Sequence, residues 1–155
     1  MSDHLDVFRS LHHVCVVVAD LDAATRYYES LGIGPWQDYP PLEPYLHDLR
    51  GPDPAAFLQL RYRYAALANV QLQLCQPGPG DTPQRRFLDA KGPGVYHLGF
   101  DVDDCDRAED DAVAAGLAVT SHGRRPDGSG FTYFATAADA GVVLEVRQTP
   151  RSTDG

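Results

Sequence analysis

Two stretches of this chain repeat one alternation of apolar and polar positions. In residues 95–117, VYHLGFDVDDCDRAEDDAVAAGL, an apolar run carrying one histidine, His97, gives way to acidic residues and then to helical spacing that stops at Gly116. Residues 12–33, HHVCVVVADLDAATRYYESLGI, repeat the pattern: His13 falls on His97, Val18 on Val102, Asp20 on Asp104, Asp22 on Asp106, Ala24 on Ala108 and Gly32 on Gly116. Residues 11–18 are short and β-branched, which predicts a buried strand. Alternation puts His13, Cys15 and Val17 on one face and His12, Val14, Val16 and Val18 on the other. Asp20 is placed to cap a helix whose apolar face is Leu21, Ala24, Tyr28 and Leu31, and Gly32 sits where a C′ glycine closes it.

The rest of the chain divides by the same criteria. Residues 1–10 form a polar lead-in. Residues 33–56 hold six prolines and predict mostly loop, with short edge strands at most near 36–39 and 46–49. Residues 57–64, FLQLRYRY, alternate as a strand with Gln59, Arg61 and Arg63 opposite Leu58, Leu60, Tyr62 and Tyr64. Residues 70–76, VQLQLCQ, form another, with Gln71, Gln73 and Cys75 on one face. A short helix is expected over 82–90. The second copy then supplies a strand at 95–102, a helix at about 104–115, strands at 117–122, 131–135 and 141–147, a loop at 123–130, and a polar, frayed tail at 149–155. Each half reads as a strand and a helix followed by three strands. Neither half is long enough to bury a sheet face alone, so the expected fold is α+β: two βαβββ modules, about 11–77 and 95–148, in a single domain over 1–155.

Composition narrows the function. A net charge of −9 over 155 residues argues against nucleic acid as a partner and disfavours an anionic membrane surface. No apolar run approaches a membrane span, and no basic segment precedes an apolar core at the start, so a cytoplasmic protein is expected. Cys15, Cys75 and Cys105 are odd in number and far apart, which reads as reduced thiols.

Four polar residues stand out on strands: His13 and His97 on the first strand of each half, Gln73 and Glu145 on the last. Two imidazoles, a carboxylate and an amide oxygen make a competent set for Zn, Fe(II), Mn, Co or Ni with positions left for water or substrate. The plainer reading is a pair of core histidines, with Gln73 and Glu145 turned to solvent beside Gln71 and Arg147. The registration of His13 on His97 is what favours the metal. Arg61 and Arg63 can bind a carboxylate or phosphate, although an exposed strand face explains them as well. Trp36 and Tyr133 are candidate pocket walls, with buried core as the default. Arg124 and Arg125 read as solvated loop charges and His122 as solvent-exposed. His12 points away from His13.

Together these segments resemble the vicinal oxygen chelate superfamily, and most of all its methylmalonyl-CoA epimerase branch. HVCVVVADLDAATRYYESLGI is similar to that family's first strand and helix, VQLQLCQP to its fourth strand, YHLGFDVDD to its fifth and GVVLEV to its eighth. The resemblance implies a half-barrel (glyoxalase-like) and a homodimer. It also implies one divalent metal ion (Zn, Co, Mn, Ni or Fe) on His13, Gln73, His97 and Glu145. A small-molecule or acyl-CoA substrate would lose a proton beside a metal-chelated carbonyl, which makes the protein an isomerase, epimerase or lyase with Glu145 as the catalytic group. The chain departs from the pattern at the second catalytic glutamate. Gln59 stands near the matching position and is no base, Glu43 in the preceding loop is the candidate replacement, and Tyr62 is a possible acid. His13, His97 and Glu145 would also make the facial triad of an Fe(II) extradiol dioxygenase, against which Gln73 counts. Metal-free drug-binding members of the superfamily typically lack the four-residue set.

Overall fold

The computed structural model describes residues 5–151; the ends of the polar lead-in and of the tail lie outside the described residues. In chain order the elements are β1 (Leu11–Val17), α1 (Leu21–Ser30), β2 (Gln37–Asp38), a 3-10 helix (Glu43–His47), β3 (Asp48–Arg50), α2 (Pro54–Phe57), β4 (Arg61–Ala66), β5 (Gln71–Gln76), α3 (Pro83–Lys91), β6 (Gly94–Asp101), α4 (Cys105–Ala114), β7 (Val119–Arg124), β8 (Gly130–Phe134), α5 (Ala137–Ala140) and β9 (Val143–Gln148). Two compact units emerge. One gathers 13–42 and 52–97; the other gathers the chain up to 12, 43–51 and 98 onward.

The repeat extends to the way its helices begin and end. Asp20 accepts a hydrogen bond from the Ala23 amide and Asp104 one from the Arg107 amide, with nearly the same extended backbone at both caps. Gly32 and Gly116 both take positive φ one residue beyond the C-cap. The amide that follows each glycine, Ile33 and Leu117, returns to the carbonyl of Tyr28 and Ala112, as a Schellman closure requires. Leu31 departs from expectation: it is the C-cap of α1 and is exposed.

In the first unit the strands run in the order β2-β4-β5-β1. β1 lies parallel to β5, pairing His13 with Gln71, Cys15 with Gln73 and Val17 with Cys75. β4 is antiparallel to β5, so Tyr62 faces Cys75 and Tyr64 faces Gln73. One sheet face carries α1: Val18, Leu21 and Leu74 form a buried cluster joined by Val16, Ala24, Tyr28 and Trp36. The opposite face holds His13, Cys15, Gln73 and Cys75, all buried. The strand expected over 57–64 begins only at Arg61. Asp53 accepts from the Ala55 and Ala56 amides and Pro54 opens a helical turn, which takes Phe57 into α2.

In the second unit the order is β9-β8-β7-β3 and every pairing is antiparallel. α4 lays Ala108 and Ala112 against Phe134, Val146 and Val7. β7 runs two residues beyond the expected end, so Gly123 and Arg124 belong to the sheet, and the short α5 was not anticipated. A side chain at Gly123 would have its Cβ 2.7 Å from the Phe131 ring, which is why the strand continues through a glycine there.

The extension of β7 corrects two expectations. His122 and Arg124 are both 3% exposed rather than solvated. Both side chains lie on the α4 side, where Arg124 Nε donates to Asp106 (2.7 Å) and Arg124 Nη2 to Glu109 (3.1 Å) and Thr132 (2.9 Å). His122 engages Glu109 through Nδ1 (2.7 Å) and Asp48 of β3 through Nε2 (3.1 Å). Burial raises the Glu109 pKa, but the bonds from Thr132 and His122 and the Arg124 charge outweigh it and hold the carboxyl below 4.5. The His122 bond likewise holds Asp48 below 3.8.

Carboxyls held down in the folded chain contribute stability above their unfolded pKa, and that stability is lost as pH falls through the folded values. Glu109→Gln leaves the buried Arg124 without one of its charges and is expected to cost about 3 kcal/mol near neutral pH. The difference from wild type should begin to shrink as pH drops below about 4.5, the ordinary glutamate value, and vanish only once pH has fallen through the lower pKa of the folded carboxyl. Urea midpoints between neutral pH and pH 3 measure this; a gap that stays constant refutes the assignment.

Candidate metal centre

β1, β5 and β6 each bring one polar side chain inward in the first unit. His13 is 3% exposed, Gln73 5% and His97 1%. The two rings meet edge to face, with centroids 5.0 Å apart and an interplanar angle of 83°. Their Nε2 atoms are 2.9 Å apart, so one ring donates to the other. Two imidazoles bound side by side to one cation through bonds of about 2.1 Å would hold their nitrogens about 3 Å apart, so this separation fits a shared ion. The Gln73 side chain donates from Nε2 to Gln71 Oε1 at 2.8 Å.

The remaining groups on this face are neutral. Cys15 and Cys75 are fully buried. Burial pushes the Cys75 thiol up to about 12, although the Tyr62 hydroxyl bond opposes the shift, so Cys75 is no thiolate at ordinary pH. Tyr62 accepts from Gln84 Nε2 at 3.3 Å and lies 5.8 Å from the Tyr39 ring.

Other candidates fall elsewhere. Arg61 lies on the α1 side of β4, half exposed, with its guanidinium 3.8 Å from Asp22; Arg63 binds Asp22 at 2.8 Å and Asp38 at 3.0 Å. Trp36 is also on the α1 side. Its indole N–H donates to the Ile33 carbonyl, and its ring sits 5.4 Å from Tyr28. Gln59 accepts from the Gly80 amide at 2.8 Å and serves the 77–80 turn.

In the second unit Glu145 is 4% exposed on β9 and stands directly opposite Tyr133 of β8. Residues opposite one another in an antiparallel pair share a face. Tyr133 is buried and its ring lies 5.2 Å from Phe131, which in turn is 5.0 Å from Tyr45. Glu43 opens the 3-10 helix and is exposed. Gln71 shares the face of Gln73 on β5, as strand alternation predicts, and is the acceptor for the Gln73 amide, a contact that alternation alone does not reveal.

Residues 12–136 match the model of the Glyoxalase/Bleomycin resistance protein/Dioxygenase superfamily, and the chain belongs to that family. Solved structures share its fold, a mixed α+β, glyoxalase-like arrangement as expected. Methylmalonyl-CoA epimerase from Mycobacterium tuberculosis is 22% identical with a TM-score of 0.72, covering 97% of this chain and 94% of its own. A variant of the Streptomyces coelicolor epimerase, in complex with 2-nitronate-propionyl-CoA, is 21% identical with a TM-score of 0.70, covering 93% and 99%. A methylmalonyl-CoA epimerase in complex with methylmalonyl-CoA and ammonium gives 21% and 0.70, covering 92% and 95%. No curated protein matches the chain in sequence. Among the described residues no helix is long and apolar enough to cross a membrane.

Cys15, Cys75 and Cys105 are all fully buried. A thiol titration of the native protein at mildly alkaline pH is expected to find no fast-reacting sulfhydryl, with three appearing on unfolding. A rapidly labelled Cys75 would contradict its burial and raised pKa.

Proposed function

We propose that His13, Gln73, His97 and Glu145 hold one divalent cation (Zn, Co, Mn, Ni or Fe) and that the protein is an isomerase, epimerase or lyase working beside a carbonyl of a small molecule or acyl-CoA. The observation that carries this reading is the buried pair of imidazole nitrogens 2.9 Å apart, with the Gln73 amide on the same sheet face. A core that needed only packing would place apolar side chains there; buried polar groups persist where they are paired or bind something.

A divalent cation bound there supplies Lewis-acid stabilisation of negative charge on a substrate carbonyl oxygen. As ligands the two imidazoles and the Gln73 amide bring no charge, so with Glu145 as the single carboxylate the ion would keep a net positive charge for that task. Glu145, buried on β9, takes the proton from the carbon beside the carbonyl and returns it. Its burial, opposite the buried Tyr133, limits the access of water to that exchange. Glu43 is the candidate for a second carboxylate on the opposite side; with Glu145 acting alone, the same site catalyses one-base isomerisation or elimination. The likeness to methylmalonyl-CoA epimerases supports an acyl-CoA among the substrates to be tried first. In this reading the 11–77 and 95–148 modules work as a single domain over 1–155 and the molecule is a cytoplasmic homodimer with no nucleic-acid or membrane partner.

Proton–deuterium exchange at the α-carbon of a panel of acyl-CoAs and α-hydroxyketones, with and without added divalent metal, tests the proposal. Metal-dependent exchange is expected with at least one class, and Glu145→Gln should lower its rate by about 100-fold or more. Absence of exchange across the panel would end the proton-abstraction reading.

A further inference from the structure

We infer that Gln71 is a positioning residue for the proposed metal centre: it accepts a hydrogen bond from the Gln73 amide and so commits the carbonyl end of Gln73 to the ion. The inference rests on the metal reading above and adds to it a residue that touches neither ion nor substrate.

A glutamine is an ambiguous ligand. Its planar terminus carries an acceptor oxygen and a donor NH2 of nearly equal size, and only the oxygen can bind a cation. Rotation by half a turn about the last bond exchanges them and would aim two N–H hydrogens at the ion. At 5% exposure the Gln73 amide is set chiefly by its protein neighbours. Here Gln73 Nε2 donates to Gln71 Oε1 at 2.8 Å, which engages the donor end. The two residues are two apart on β5 and therefore share a face. Gln71 is also the residue that pairs in register with His13, so the residue that fixes the amide is anchored opposite one of the imidazoles. Gln73 is 5% exposed, and the reversed orientation would leave its oxygen facing the Gln71 oxygen.

Groups that orient a metal ligand typically change affinity about 10- to 100-fold when removed. Gln71→Met keeps the length of the side chain and deletes the acceptor. Cobalt(II) alone is the probe, titrated into metal-free wild type, Gln71→Met, Gln73→Ala and the double variant, each first shown by thermal melting to be folded. Gln71→Met is expected to weaken cobalt by about 10- to 100-fold in the wild-type background and to have no further effect once Gln73 is alanine. Gln71→Glu, which can only accept, should hold the amide as glutamine does and retain tight binding.

Side-chain amide exchange, read by NMR on the metal-free protein, supplies a measurement that does not depend on metal. The Gln73 NH2 should exchange slowly in wild type and faster in Gln71→Met. Equal cobalt affinity in wild type and Gln71→Met, or an equal loss in both backgrounds, overturns the positioning role and leaves the metal centre standing. Wild type that takes up no cobalt overturns the metal reading and this role with it, whatever the amide exchange shows.

Discussion

Two imidazole rings held against each other inside a sheet dominate the chemistry of this protein. Taking a polar ring out of water costs free energy unless its nitrogens are paired. The contact between His13 and His97 at 2.9 Å supplies one such pairing, at the price of keeping the adjoining strand positions small or polar. Cys15 lies two residues from His13 on its face, and Gln73 stands beside Cys15 in register. On the other face Leu74, Val16 and Val18 meet α1. The sheet is thus sorted by chemistry: hydrophobic burial stabilises one side, and the other carries polar side chains beside the buried Val17.

The sorting explains why much was legible from the amino-acid sequence. Strand alternation assigns His13, Cys15, Gln71, Gln73 and Cys75 to their face without reference to anything distant in the chain, and the structure places them there. The repeated Asp-to-Gly spacing marks both ends of α1 and α4, because caps are local hydrogen bonds whose donors and acceptors are a few residues apart. The reading failed where a non-local partner decides. His122 ends the expected strand at 117–122 and reads as exposed, and Arg124 falls just past Gly123 in what reads as a loop. They are in fact buried because Asp106, Glu109 and Asp48 arrive from two other elements. Trp36 and Arg61 are pocket candidates by residue type, with buried core and an exposed strand face as their default readings, and Ile33, Tyr28 and Asp22 draw them to the helix side. In residues 57–64 the alternation was real only from Arg61, since Asp53 and Pro54 made Phe57 the end of a helical turn.

The two units use polar burial differently. Beneath α4 of the second unit the buried groups are ionic and mutually satisfied: Arg124 is shared among Asp106, Glu109, Thr132 and the Phe131 carbonyl. Such a cluster has no spare valence for a ligand. It fixes β3 to β7 and α4, and with β3 it fixes the segment that carries Glu43 and Tyr45. On the His13 face of the first unit the buried side chains are imidazole, amide and thiol, with no Asp, Glu, Lys or Arg beside them on β1 and β5. A fully satisfied ionic network gives rigidity, whereas a neutral donor set gives coordination capacity without the desolvation cost of buried charge.

In the proposed metal centre, that contrast also bears on why an amide rather than a second carboxylate would stand at position 73. Each added carboxylate would lower the effective charge of a bound cation and weaken its pull on a substrate oxygen. It would also add a buried anion whenever the ion is absent. A glutamine avoids both penalties, but it brings the freedom to present the wrong end. The cost of that freedom is one further polar residue on the same face, and Gln71 occupies the position where strand geometry makes such a partner available.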